Sequence, residues 1–165
     1  MVILGIDPGT ARIGYGLIRK DRSLSFMDAG LLHITANKQN DRLLQIHNEL
    51  KIIIKKFSPE LAAIETIFFS KNKKTAIDVA HARGVIVLTL TKMNVPIVEY
   101  TPPQVKQAVA GSGAADKKGV IKALEKILRI DFHGEPDDVS DAIAIALTAS
   151  IDSSFRPSGI STKTT

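Results

Sequence analysis

Four acidic residues in this chain could do chemistry if the fold brings them together: Asp7, Glu65, Asp138 and Asp141. Asp7 follows the unbroken apolar run Val2 to Ile6, which suits a strand buried on both faces, and Pro8-Gly9 turns the chain directly after it. Glu65 follows a second short apolar run, Leu61 to Ile64. If the two runs pair as parallel neighbours about 4.8 Å apart, both carboxylates reach the same end of the sheet and can share an ion. Asp138 and Asp141 are three residues apart, hence on one face of a helix opening at Asp137. Asp137 and Asp141 share a face almost as well, so spacing leaves both neighbours open as the partner of Asp141. Each feature also has a plainer reading. Asp-Pro-Gly is an ordinary turn signal, and acids in a helix's first turn complement its dipole. The dipole explains Asp137 and Asp138 better than Asp141, which Ala142, Ile143 and Ala144 follow directly.

Four converging carboxylates need neutralising. The chain has no cysteine, and His33, His47, His81 and His133 are too scattered to form a ligand pair. Hard, oxygen-ligated Mg²⁺ or Mn²⁺ is therefore the natural partner. Two such ions about 4 Å apart would activate a water and stabilise the leaving oxygen of a phosphodiester.

The elements that must position these acids can be read in order. A second strand returns after Pro8-Gly9 with Ile13, Tyr15 and Leu17 on one face and Gly14, Gly16 and Ile18 on the other. Its glycines leave bare backbone that something can approach closely. Ser23 to Ile34 reads as a third strand. Asp41 to Phe57 reads as an amphipathic helix with Leu43, Ile46, His47, Leu50, Ile53, Ile54 and Phe57 on one stripe, where His47 is a core or edge histidine. After Glu65 the chain runs from apolar Ile67-Phe68-Phe69 to basic Lys71, Lys73 and Lys74, as a loop. Thr75 to Thr91 is apolar nearly all round. It is either a central core helix or one covered by the sheet on one side and a second subunit on the other, with Ala82 and Gly84 small enough for close approach. Val95 to Glu99 is a fifth strand. Thr101 and Gln104 form a capping box for a helix ending near Gly111-Ser112-Gly113, Asp116 caps the next, and Asp137 to Ile151 is the last. The order β-β-β-α-β-α-β-α-α-α gives an α/β fold. Three hairpin-linked strands and two reached through helical crossovers make a five-stranded mixed sheet with helices packed on it.

At 165 residues and 44% hydrophobic, the chain is expected to be one globular domain over residues 1–152, burying about 70% of its unfolded surface, with a polar, disordered tail over 153–165. No apolar run reaches the roughly 18 residues of a spanning helix, and the first residues read as a strand without a basic leader. The expected setting is the cytoplasm. A net charge of +5 permits an anionic partner without requiring one.

Taken jointly, Gly5-Ile6-Asp7-Pro8-Gly9-Thr10, Ala63-Ile64-Glu65 with Phe68 beyond it, Ala82-Arg83-Gly84, Gln104-Val105-Lys106-Gln107 and Asp138-Val139-Ser140-Asp141-Ala142 resemble the RuvC family of bacterial Holliday-junction resolvases. The motifs occur in the family's order from residue 2 to about residue 150, and it is their combination that is specific. The resemblance implies a ribonuclease-H-like fold, a homodimer, and Mg²⁺-dependent incision of paired strands in four-way junction DNA during homologous recombination and DNA repair. It implies two Mg²⁺ per subunit, replaceable by Mn²⁺, and RuvA and RuvB as branch-migration partners. It places catalysis and metal binding on Asp7, Glu65, Asp138 and Asp141, the Asp-x-x-Asp-Ala pattern matching Asp138 rather than Asp137. It gives Phe68 a junction-probing role and Lys106 and Lys117 DNA contacts; Lys118, beside Lys117 in the same exposed turn, joins them. An aromatic beside a basic loop can wedge into unstacked bases, although a core position is the plain alternative. Lysines flanking a glycine loop can hold phosphates in register, although solvated surface lysines look the same in sequence.

Three other readings compete. Asp7-Pro8-Gly9-Thr10 also resembles the first phosphate loop of actin-like ATPases, but those need a second, duplicated domain and this chain is too short. An RNA-processing nuclease of the same fold is the nearer enzyme rival. A junction-binding protein without catalysis is the third, against which the four acids argue, since a pure binder gains nothing by repelling phosphates.

Overall fold

The computed structural model describes residues 1–9, 12–66, 73–132 and 134–152. Their elements are β1 (Val2–Pro8), β2 (Ile13–Lys20), β3 (Leu24–Leu31), α1 (Gln39–Phe57), β4 (Leu61–Glu65), α2 (Lys73–Lys92), β5 (Ile97–Tyr100), α3 (Pro102–Ala110), α4 (Lys117–Leu128) and α5 (Asp137–Ile151). The strands form one sheet in the order β3-β2-β1-β4-β5. The two hairpins are antiparallel, while β4 and β5, reached through α1 and α2, run parallel to β1 and to each other. The mixed five-stranded sheet expected from the element order is therefore present. The polar tail of residues 153–165 lies outside the described residues.

Side-chain alternation divides the core into two layers. Leu4, Ile6, Ala62 and Ile64 face α1 and α2, packing on Ile46, Leu50, Ile53, Ile86 and Leu90. Ile3, Leu61 and Ala63 face α3, α4 and α5. The same period of two continues past these residues and turns Asp7 and Glu65 toward the α5 layer.

The helix buried on nearly every side is α5: from Ala142 to Ser150 every residue is buried. Its hydroxyls close onto its own carbonyls, Thr148 donating to Ala144 at 2.8 Å and Ser150 to Leu147 at 2.6 Å, so no polar group is stranded. What approaches the glycine face of β2 is this helix. A Cβ at Gly14 would collide with the Asp138 carbonyl, and one at Gly5 in β1 with the Ala142 carbonyl. Bare backbone in both strands lets the N-terminal half of α5 lie directly on the sheet.

Several expectations need correction: β3 stops at Leu31 rather than Ile34, and α2 begins at Lys73, so Lys73 and Lys74 belong to the helix and not to the loop before it. β5 begins at Ile97, two residues later than Val95, because the Val95 N–H still closes the end of α2 by donating to the Leu90 carbonyl at 3.0 Å. In α2, Ala82 and Ile86 are buried against the sheet, whereas Ile77 and Leu88 are exposed and the position of a Cβ at Gly84 is open space. Among the described residues only one side of α2 is therefore covered, and the outward stripe is Ile77-Gly84-Leu88, with Ala82 on the inner side.

Candidate active site

Three elements converge on the end of the sheet where β1 and β4 stop. Ile6 pairs with Ile64, so the next residues, Asp7 and Glu65, stand level on adjacent parallel strands. The ladder continues past Glu65, where the Thr66 N–H donates to the Tyr100 carbonyl at 2.9 Å and holds the strand end in place. The first turn of α5 rests on Gly14, the residue paired with Asp7, and brings Asp138 and Asp141 over the strand ends.

The electrostatics show that these acids feel one another. Burial, and then the charges of Glu65, Asp141 and Asp138, push the Asp7 carboxyl up to about 7, with Lys117 opposing. Burial and then Asp141 push Glu65 up to about 7, with Lys106 and Lys117 opposing. Asp141 also lies above the ordinary carboxylate range, through burial first, with the hydrogen bond from Lys117 pulling the other way. Asp137 takes no part in raising Asp7. It is the most exposed of the three α5 acids, at 70%, and its partner is Lys117 at 3.0 Å. Asp138 thus adds to the charge felt by Asp7, whereas Asp137 is exposed and pairs with Lys117.

Two cations hold the α5 acids from different elements. Arg12, in the turn before β2, places Nε 3.2 Å from Asp138 Oδ2. Lys117, at the start of α4, places Nζ 3.0 Å from Asp141 and from Asp137. Burial disfavours the Lys117 ammonium, but its hydrogen bonds to Asp137 and Asp141 outweigh that and raise its pKa. With Asp138 drawn to Arg12 and Asp141 to Lys117, no three acidic or histidine side chains among the described residues converge as a closed ligand set. The donor chemistry nonetheless fits a hard divalent cation. All four groups are carboxylates, and two of them are pushed up to about 7 by burial and then by neighbouring negative charge, which a cation would offset.

A cleft of about 220 Å³ opens beside the acids, lined by Glu65, Lys106, Lys117 and Asp141 over an apolar floor that includes Val105 and Val120. Its two lysines are placed by local sequence signals. Thr101 and Gln104 form the expected capping box at the start of α3, and the Asp116 side chain accepts from the Gly119 N–H at 2.8 Å to start α4. Between the helices Gln107 braces the glycine loop, donating to the Gly111 carbonyl at 3.0 Å and accepting from the Gly113 N–H at 3.1 Å. Lys118 is exposed and does not line the cleft. Phe68 lies outside the described residues. Sequence reasoning passed over Arg12; its one signal was a cation in the turn that follows Asp7.

Comparison with known proteins decides the family. The family model described as "Crossover junction endodeoxyribonuclease RuvC" matches residues 3–149. This chain belongs to the RuvC family. A crossover junction endodeoxyribonuclease RuvC of Prochlorococcus marinus is 48% identical over 151 residues, covering 90% of this chain and 97% of that protein. The RuvC of Roseiflexus sp. is 46% identical over 146 residues and 87% of each chain. Among solved structures, "T. thermophilus RuvC in complex with Holliday junction substrate" superimposes with a TM-score of 0.82 at 32% identity, over 90% of this chain and 92% of that one. The yeast mitochondrial Holliday junction resolvase Ydc2 has a TM-score of 0.63 at 16% identity over 90% of this chain and 78% of that one, and so shares the fold. The expectation of a RuvC-type fold, formed from the five motifs, holds across the chain.

Proposed function

We propose that this chain is a divalent-metal-dependent endonuclease that resolves four-way DNA junctions by cutting two symmetric strands. The observation that carries this reading is the meeting of Asp7 and Glu65 on the sheet with Asp138 and Asp141 on α5, beside a cleft bearing Lys106 and Lys117. In it, these four carboxylates hold the metal, two Mg²⁺ per subunit with Mn²⁺ as a substitute. A bound divalent ion supplies an activated water and neutralises charge on the phosphodiester. Lys106 and Lys117 hold backbone phosphates against the repulsion of the acids, Lys118 adds a contact at the rim, and Phe68 probes unstacked bases at the junction centre.

The reading includes a homodimer. A four-way junction presents two equivalent strands related by a two-fold axis, and a C₂ dimer presents two identical sites related the same way. The outward stripe of α2, with Ile77 and Leu88 exposed around the open backbone of Gly84, is the surface we assign to a second copy of the chain. We further place the protein in the cytoplasm, acting in recombination and repair with RuvA and RuvB. Among the described residues no helix is long and apolar enough to cross a membrane.

One incubation tests the core of this reading. Labelled four-way DNA should be cut at symmetric positions with Mg²⁺ and remain intact in EDTA. Ca²⁺, whose looser coordination misplaces the attacking water, should support binding with little cleavage. Preferential cutting of structured RNA in the same assay would favour the RNA-processing reading, and Mg²⁺-independent binding with no cleavage in any metal would reduce the protein to a binder.

A further inference from the structure

Counted across the end of the sheet, the charges follow the strand order. Arg12 stands before β2, Asp7 ends β1, Glu65 ends β4, and Lys106 lies on α3 just beyond β5, with Lys117 closing the same cleft. The acids are therefore flanked by cations, with the lysines on the β4–β5 side and Arg12 on the β2 side. Three strand steps from β2 to β5 span about 14 Å, room for about four nucleotides of one strand at 3.4 Å each.

We propose that Arg12 is a strand-positioning residue of the proposed nuclease site, contacting a backbone phosphate on the β2 flank while its Nε holds Asp138. The proposal rests on the junction-nuclease reading. A DNA strand crossing four carboxylates is repelled along its middle, and cations on one flank alone would fix it at one end only. Arg12 supplies the second anchor. Its side chain is 58% exposed, against 21% for the Asp138 it touches, so it reaches solvent from the rim of the cluster. The guanidinium carries five N–H donors in a planar fork, and the Nε–H facing Asp138 uses one of them. The remaining donors match the paired oxygens of a phosphate. A guanidinium can thus grip a carboxylate with one edge and a phosphate with another. That arrangement links the position of the strand to the position of Asp138, one of the two α5 acids assigned to the metal.

The test is the salt dependence of four-way DNA binding by the full chain in EDTA, where no cleavage intervenes. Each phosphate neutralised adds about one to the slope of log affinity against log salt. Arg12→Gln should lower that slope by about one and weaken binding several-fold at low salt. Arg12→Lys should keep the wild-type slope. Arg22→Gln, which removes the same charge from the turn at the other end of β2, should leave the slope unchanged. A wild-type slope in Arg12→Gln overturns the proposal, as does an equal loss in Arg12→Lys, which would assign the effect to the Asp138 contact. If Arg12→Gln and Arg12→Ala both fail to fold by circular dichroism, the role of Arg12 is structural and the proposal is again overturned. Wild-type protein that binds the junction but never cuts it in Mg²⁺ would sink the nuclease reading while leaving the slope comparison interpretable.

Discussion

Asp7 and Glu65 stand level at the ends of adjacent parallel strands, because Ile6 pairs with Ile64 in the preceding register position. Both side chains turn toward α5, and burial first, then neighbouring carboxylates (Glu65 acting on Asp7, Asp141 acting on Glu65), pushes each up to about 7. Burying these carboxylates beside other acids costs stability in the protein alone, and a bound divalent ion would relieve that cost.

The first prediction concerns catalysis. Asp7→Asn and Glu65→Gln should each lower the junction-cleavage rate by at least about a hundredfold, beyond the 10–100-fold typical of losing an outer-shell partner. Junction affinity in Ca²⁺ should stay within a few-fold of wild type. Turnover near the wild-type rate at saturating Mg²⁺ would remove either residue from the assigned site.

The second concerns pH. Asp7 and Glu65 bind a proton more tightly folded than unfolded, so their contribution to stability is fully present below the ordinary carboxylate range. It is lost as pH rises to about 7. The metal-free protein should therefore melt lower at pH 8 than Asp7→Asn does, by a few degrees at about 2–4 °C per kcal/mol for this chain length. The gap should close at pH 4 and narrow when Mg²⁺ is added at pH 8. Differential scanning calorimetry of the two proteins measures it; a gap that stays constant with pH contradicts the assignment.

Asp138 and Asp137 should separate cleanly. Asp138→Asn should lose at least about tenfold more cleavage than Asp137→Asn, because Asp138 acts on Asp7 whereas Asp137 pairs with Lys117 at the exposed edge. Parallel single-turnover rates decide it, and equal losses would mean that the α5 acids act through Lys117.

For the dimer, the informative position is Leu88. Leu88→Glu should give a folded monomer that loses paired incision yet retains metal binding, as read by sedimentation and calorimetric Mn²⁺ titration. Ile86→Glu should instead unfold the protein, since Ile86 is fully buried and an unpaired charge there costs several kcal/mol. A Leu88→Glu variant that stays dimeric places the interface elsewhere.

Much of this was legible in the sequence because its causes are local. The apolar run ending at Asp7, the capping residues Thr101 and Asp116, and the Asp138–Asp141 spacing act over one strand or one helical turn, and the structure follows them. Two faces of one helix, or two neighbouring acids, differ only in what lies opposite. Whether Ile86 or Leu88 faces outward depends on how α2 is rotated against the sheet. Whether Asp137 or Asp138 meets Asp7 depends on where α5 lands, which Gly5 and Gly14 fix by letting helix backbone reach strand backbone. The pairing of Arg12 with Asp138 joins residues 126 positions apart, counted from their numbers. Residue types and spacing determined the chemistry of this protein, and long-range packing alone decided which side chains meet to perform it.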